Sequence, residues 1–244
     1  MLRIRGRLRA ATPLILLLTL AGLFALSSTA SAAPPRVLGI GSSGADVAAL
    51  TDRLAALGYL PAGTRSSTFT EATAHAVTAF QKWEGIGRDG RVGPQTYAAL
   101  RTAVRPLPTT SSGRAGKRIE VLLDKQVALL IRDGRVRRVI AVSTGAPGYD
   151  TPAGSFRVFR KEVRSWSYPY SVWLPYASYF NRGIAFHGYA SVPTYPASHG
   201  CVRVPFAFMR EVYRFAAKGT PVRVTATTTT VGALEAPADV VYGP

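Results

Sequence analysis

The chain has 244 residues, with 30 Lys plus Arg against 13 Asp plus Glu, three His and one Cys. That length suits one large domain or two small ones, and 47% hydrophobic with 18% charged residues excludes a disordered polycation. A single cysteine excludes an internal disulfide framework, a CxxC redox pair and a thiolate-rich metal site. The net charge of +17 admits nucleic acid, a membrane surface or an anionic cell wall as a partner.

Residues 1–32 run from a start with four Arg, through an apolar stretch, to the small residues Ala30, Ser31 and Ala32. This is the pattern of a secretory signal peptide cleaved near Ala32 or Ala33. The alternative, an uncleaved anchor helix, has a run somewhat short of the ~20 residues that span a bilayer. Either way the rest of the chain is expected outside the cytoplasm, secreted or at the cell wall, and no membrane span remains if cleavage occurs. An exported chain does not meet the chromosome, and no nucleic-acid-binding motif appears, so nucleic acid is set aside as a partner.

From 36 to 105 the composition is helical and Ala-rich. Val47, Leu50, Leu54 and Leu57 fall at helical spacing with Gly58 as C-cap. A second helix is expected from Glu71 to Trp83, and a third after Pro94. So small a three-helix bundle suggests a recognition module with little core to spare. Residues 106–116 read as a flexible connector of Pro, Ser, Thr and Gly. The segment 36–105 holds eight basic and five acidic residues, a net +3; residues 106–244 hold eighteen and eight, a net +10.

Beyond Lys117 the pattern turns to short strands, with Asp133-Gly134 as a hairpin turn. Further strands are expected at Ser155–Arg160, Gly183–His187 and Pro221–Thr225, and one amphipathic helix at Phe206–Lys218. Residues 117–226 thus predict a mainly β sandwich or barrel with one packed helix. The aromatic run 164–182 divides between core and groove under strand alternation, and Trp173 and Tyr176 are its candidate substrate contacts. The tail 227–244 has no period and is expected to be flexible.

Two of the three His and the only Cys fall between 187 and 201. A free thiol becomes a useful nucleophile when an imidazole, a helix N-terminus or a cation lowers its pKa, and His187 or His199, the following helix and Arg203 all lie close in sequence. Gly200 allows a tight turn that aims N–H groups at an oxyanion. The alternative, a buried Cys acting as a small hydrophobe, sits poorly with an exported chain, where a free thiol risks oxidation unless it is used. A zinc site from His187, His199 and Cys201 lacks a nearby Asp or Glu and an HExxH helix, so no metal and no cofactor are expected.

Two resemblances add to this. The runs GSSGADVAALTDRLAALGYL and FTEATAHAVTAFQKWEGIGRDGRVGPQTYAAL resemble the three-helix peptidoglycan-binding domain. Thr51 stands where Gln is usual, and Phe69-Thr70-Glu71 where Phe-Gly is usual. The segment STGAPGYDTPAGSF, the His187-Gly188 pair, SHGCVRV at 198–204 and GTPV at 219–222 resemble the L,D-transpeptidase catalytic domain of the YkuD type, with Arg203 where some members carry Asn. The resemblance implies Cys201 as nucleophile and His187 as general base and acid. It implies His199, Gly200 and Cys201 as oxyanion donors, and Ser198, Arg203 and Gly188 as site-positioning residues. It further implies peptidoglycan stem peptides and wall polymer as partners, a 3→3 cross-link as product, and release of D-Ala. A monomer is expected. The alternatives are an L,D-carboxypeptidase that resolves the same thioester with water, and a non-catalytic wall-binding protein.

Overall fold

A computed structural model describes residues 35–109 and 115–226. The signal peptide read over 1–32, the middle of the connector and the tail 227–244 lie outside the described residues. Three helices come first: α1 (Ala45–Leu57), α2 (Glu71–Glu84) and α3 (Pro94–Thr102). Gly58 ends α1 in the left-handed region at φ 89°, where a side chain would be strained. Both departures from the peptidoglycan-binding pattern carry local contacts. Thr51 is buried, and its Oγ1 accepts from the Ser66 N–H while donating to a backbone carbonyl. Thr70 caps α2 in a reciprocal box with Thr73.

The β portion comprises β1 (Lys117–Leu122), β2 (Val127–Arg132), β3 (Arg135–Ala141), β4 (Gly154–Arg157), β5 (Arg160–Ser167), β6 (Val172–Asn181), β7 (Ile184–Tyr189), β8 (Val202–Pro205) and β9 (Pro221–Thr225), with α4 (Phe206–Phe215) between the last two. They form a five-stranded sheet ordered β3-β2-β1-β9-β4 and a four-stranded sheet ordered β5-β6-β7-β8. Asp133 and Gly134, at φ 51° and 73°, make the β2–β3 hairpin turn. The single strand expected at Ser155–Arg160 is two. Its chain changes sheets at Val158 and Phe159, whose N–H groups bond Thr220 O, just before β9, and Tyr179 O of β6. The alternation of Phe156 and Val158 breaks there, where two apolar residues, Val158 and Phe159, stand side by side and enter different sheets.

Along β2, five successive residues from Val127 to Ile131 are buried, so both faces of the five-stranded sheet are covered. One cover is the helical module, whose apolar residues share one hydrophobic cluster with the sandwich. Lys82 of α2 is fully buried there, donating to Gln126 O at 3.2 Å and Val142 O at 2.8 Å. Gly58 O accepts from Val139 N and from the Arg138 guanidinium. The connector begins as an ordered segment: Arg105 donates to Val136 O, and Thr109 bonds Glu120 through its N–H and its hydroxyl. Among the described residues no helix is long and apolar enough to cross a membrane.

Candidate active site

β7 and β8 run parallel, with Phe186 paired to Val202 and His187 to Arg203. Successive side chains of a strand point to opposite faces. Phe186, Val202 and Val204 therefore enter the main core, whereas His187, Cys201 and Arg203 share the outer face. Cys201 extends the β8 row and stands beside Ala185, two residues from His187 on the adjacent strand, about 8 Å between Cα atoms. Its sulfur packs by Leu174, Ala177, Tyr179 and Ala185 on that face. His187, Cys201, Arg203, Leu174 and Tyr179 line a groove of about 810 Å3.

Gly188 faces the other way. A Cβ there would lie 2.8 Å from ring atoms of Phe206 and 3.1 Å from Met209 Cγ, so glycine lets α4 lie close on β7. α4 thus packs on the face of β7 opposite His187 and Cys201. The expectation that its N-terminus acidifies the thiol is not met: burial pushes the Cys201 thiol up, against the lowering influence of the Ala185 amide and the Arg203 charge. Burial also drives His187 down to about 4, with the Arg203 charge adding to it. The resting pair is a neutral thiol and a neutral imidazole. His187 Nδ1 lies 3.0 Å from Gly188 O. A carbonyl only accepts, so Nδ1 carries the hydrogen and Nε2 is left as the acceptor.

The loop that delivers Cys201 is fastened by residues 143–151. Ser143 and Arg203 exchange backbone hydrogen bonds, Thr144 O accepts from Ala197 N and Ser198 N, and Ala146 N donates to Ser198 O. Thr151 Oγ1 donates to Gly200 O at 2.7 Å and accepts from Gly145 N at 2.9 Å. A Cβ on Gly145 would overlap the Tyr149 carbonyl and lie 2.8 Å from Thr151 N, so only glycine fits this turn. Gly200 takes φ +105°, as a tight turn requires. Its N–H, expected as an oxyanion donor, instead donates to Ser198 Oγ at 3.1 Å, and that hydroxyl bonds Cys201 O at 2.5 Å. Ser198 therefore braces the loop internally. The His199 ring is stacked on Tyr170 and met edge-on by Tyr149, each 4.5 Å between centroids. Arg203 lies over the Tyr189 ring at 4.3 Å.

The two candidate substrate contacts from the aromatic run fall elsewhere. Tyr176 packs edge-on against Tyr213, and its hydroxyl accepts from Arg210 Nε, away from the groove. Trp173 pairs with Trp166 and carries Arg164 over its ring, and it does not line the groove either. Tyr176 has φ 56°, which breaks the alternation of β6. Val172 and Leu174 face the groove before it and Tyr179 after it. The aromatic lining comes instead from Trp166, Tyr168, Tyr170, Tyr179 and Tyr189. Of these Tyr189, two residues past His187 on one strand, was within reach of the period-2 rule, whereas Tyr168 and Tyr170 sit on a 3-10 turn that no alternation reveals. Among the described residues no group of three or more His, Cys, Asp or Glu could hold a metal ion.

Comparison with known proteins gives the same picture. Residues 116–224 match the family model of the L,D-transpeptidase catalytic domain, and residues 43–100 match that of a peptidoglycan binding domain. The L,D-transpeptidase of Xylanimonas cellulosilytica is 40% identical, with 78% of this chain and 98% of that chain covered and a TM-score of 0.70. The one from Stackebrandtia nassauensis is 28% identical over 82% of this chain and 100% of that one, with a TM-score of 0.50. A search of curated proteins returns no match. A helical module with the peptidoglycan-binding pattern, a two-sheet catalytic portion and a relative 40% identical over nearly its whole length identify the chain as a member of the L,D-transpeptidase family.

Proposed function

We propose that this protein cross-links peptidoglycan stem peptides, with Cys201 as the nucleophile and His187 as the base. One observation carries the assignment of roles: His187 and Cys201 share a face of adjacent parallel strands, with the imidazole hydrogen fixed on Nδ1 by Gly188 O. Nε2 takes the thiol proton as Sγ attacks the carbonyl between the third stem residue and the terminal D-Ala. The C–N bond breaks, the same proton goes to the departing D-Ala amine, and a thioester remains. The backbone N–H groups of His199 and Cys201 serve the oxyanion, since that of Gly200 is engaged by Ser198. The side-chain amine of an acceptor stem then attacks the thioester, giving a 3→3 cross-link. Arg203 places positive charge where stem carboxylates enter.

The helical module, residues 36–105, is proposed to hold the enzyme against wall polymer, and residues 1–32 to direct export to the wall. Incubation of the full chain with a disaccharide-tetrapeptide, followed by mass spectrometry, is the test. Dimers with loss of one D-Ala are expected from the wild type and none from Cys201→Ala, which still co-sediments with sacculi. Tripeptide alone would make the enzyme a carboxypeptidase, and dimers from Cys201→Ala would overturn the assignment of the nucleophile.

A further inference from the structure

Cys201 ends the loop that joins β7 to β8, a stretch with no helix or strand of its own. Where its thiol points therefore depends on what holds the loop's backbone. Coming from β7, the first hydrogen bond to that backbone among the described residues is at Thr194, whose carbonyl accepts from Arg88 Nη1 at 3.2 Å. Tyr195 O then accepts from Ser143 Oγ at 2.8 Å, and the N–H groups of Ala197 and Ser198 donate to Thr144 O. Ser143 and Thr144 belong to the β portion itself. Arg88 belongs to the helical module, 106 residues earlier in the chain.

Arg88 is half-buried and committed to that contact: among the described residues Thr194 O is its one hydrogen-bond partner, and it pairs with no carboxylate. The turn that carries it is fastened on both sides by Gln81, buried in α2. Gln81 Oε1 accepts from Gly90 N at 2.8 Å, and its Nε2 donates to Asp89 at 2.8 Å and to Arg91 O at 2.9 Å. α2 is in turn pinned to the sandwich by Lys82 and by Lys125, whose Nζ donates to Trp83 O at 2.7 Å and lies 5.2 Å from the Trp83 ring centroid. A closed run of polar contacts thus leads from the sandwich through α2 to Arg88 and back to the cysteine loop.

We infer that Arg88 is a positioning residue for acylation: from the helical module it holds the loop that carries Cys201, so that the thiol stands where His187 can take its proton. The inference rests on the transpeptidase reading above and extends it, because the module then serves the chemistry as well as attachment to the wall. A guanidinium stays charged across the working pH range, and its hydrogen bond to a carbonyl is stronger than one between neutral groups. Without it, residues 190–194 are held only where β7 ends and where Ser143 meets Tyr195. Reaction is steep in the placement of the attacking atom, about 100-fold for a displacement of ~1 Å, and the loss of one tether among several is expected to cost about tenfold.

Soluble disaccharide-tetrapeptide is offered to the full chain with no sacculi present, so that tethering to the wall contributes nothing. Acyl-enzyme mass and D-Ala release give the acylation rate. Arg88→Ala is expected to lower the maximal rate about tenfold, with the half-saturating substrate concentration within about twofold of wild type. Its melting temperature is expected within about 2 °C of wild type. Arg88→Lys, which keeps a charged donor, is expected to recover most of the rate, and Arg88→Met none of it. Hydrogen exchange in the segment 194–201 is expected to quicken in Arg88→Ala while exchange in α2 and β2 stays as in wild type. Acylation by Arg88→Ala within about twofold of wild type would overturn the assignment. So would exchange quickened equally in α2 and β2, which would make Arg88 a strut of the whole fold. Absence of any acyl-enzyme in the wild type would instead overturn the transpeptidase reading, and the positioning role with it.

Discussion

The two sheets present their outer faces differently. The five-stranded sheet hides its outer face under α2, and a basic group trapped there, Lys82, donates to two backbone carbonyls. The four-stranded sheet leaves its outer face open as a groove, and its buried base, His187, spends one ring nitrogen on Gly188 O and keeps the other for a substrate. Desolvation acts on both in the same sense, pushing Lys82 down to about 7 and His187 down to about 4. A covered face thus makes a base into a strut, and an open face leaves it available for chemistry. The two are also joined. Lys82 holds Gln126 O; the Gln126 side chain exchanges hydrogen bonds with Thr144 at 2.7 and 2.9 Å; and Thr144 O holds the N–H groups of Ala197 and Ser198.

Replacing each base tests the contrast. His187→Gln is expected to cost the largest effect, a drop of about 10^2 to 10^4 in the acylation rate, the usual worth of a positioned general base, with the melting temperature within a few degrees of wild type. Unfolding of this variant would mean that His187 is a strut as well. In the wild type, acylation monitored from pH 3.5 to 8 is expected to show its acid limb near 4, not at the ordinary histidine value of 6.5, because the imidazole must be neutral to take the proton.

Lys82→Ala is expected to do the reverse. The fold loses about 2–4 kcal/mol, because a long buried side chain leaves a cavity and two carbonyls without donors, while the acyl-enzyme still forms. Lys82→Met keeps the volume and removes the cost of burying a charge, so it is expected to lose less. The sign with pH follows from the depressed value. Between about 7 and 10.5 the unfolded chain binds a proton that the folded chain has released, so wild-type stability rises with pH across that window, and below 7 the penalty is fully present. Urea midpoints measured from pH 6.5 to 9.5 are expected to show this slope in the wild type and to lose it in Lys82→Met. Gly188→Ala lies between the two regions, since its Cβ strikes α4 and not the groove. An overpacking loss of about 1–3 kcal/mol is expected, with only a small change in acylation.

What the sequence made legible follows the same division. The helices, the Asp133-Gly134 hairpin and the histidine and cysteine of the site are set by local signals: period, cap, turn residue and short motif. What escaped depends on contacts between distant residues. The docking of α2 on β3 buries Lys82, which by residue type alone belongs at a surface. The change of sheet at Val158 and Phe159 interrupts a segment short enough to be read as one strand, its only sign being that apolar pair, and the positive φ of Tyr176 interrupts β6. Tyr176 was misplaced for that reason, because a broken alternation moves the side chains from that point to the opposite face, whereas Trp173 lies before the break and turns away by plain alternation between Val172 and Leu174. The engagement of the Gly200 N–H by Ser198 was likewise invisible, since a glycine beside a cysteine reads as an oxyanion donor until its partner is seen.

The smallest expected effect concerns the groove wall. His199 is held between Tyr170 and Tyr149, one from the turn after β5 and the other from the loop that brackets Cys201. Such ring pairs contribute about 0.5–1.5 kcal/mol each beyond the area they bury. Tyr170 is half-exposed, so its removal takes away one face of the stack without opening the core. Tyr170→Ala is therefore expected to leave the melting temperature within about 2 °C of wild type and to slow acylation only a few-fold, through a looser His199. Tyr170→Phe keeps the ring and is expected to match wild type. A hundredfold loss in Tyr170→Ala would mean that the open face depends on its aromatic wall as strictly as the covered face depends on Lys82, and the contrast between the two sheets would fail.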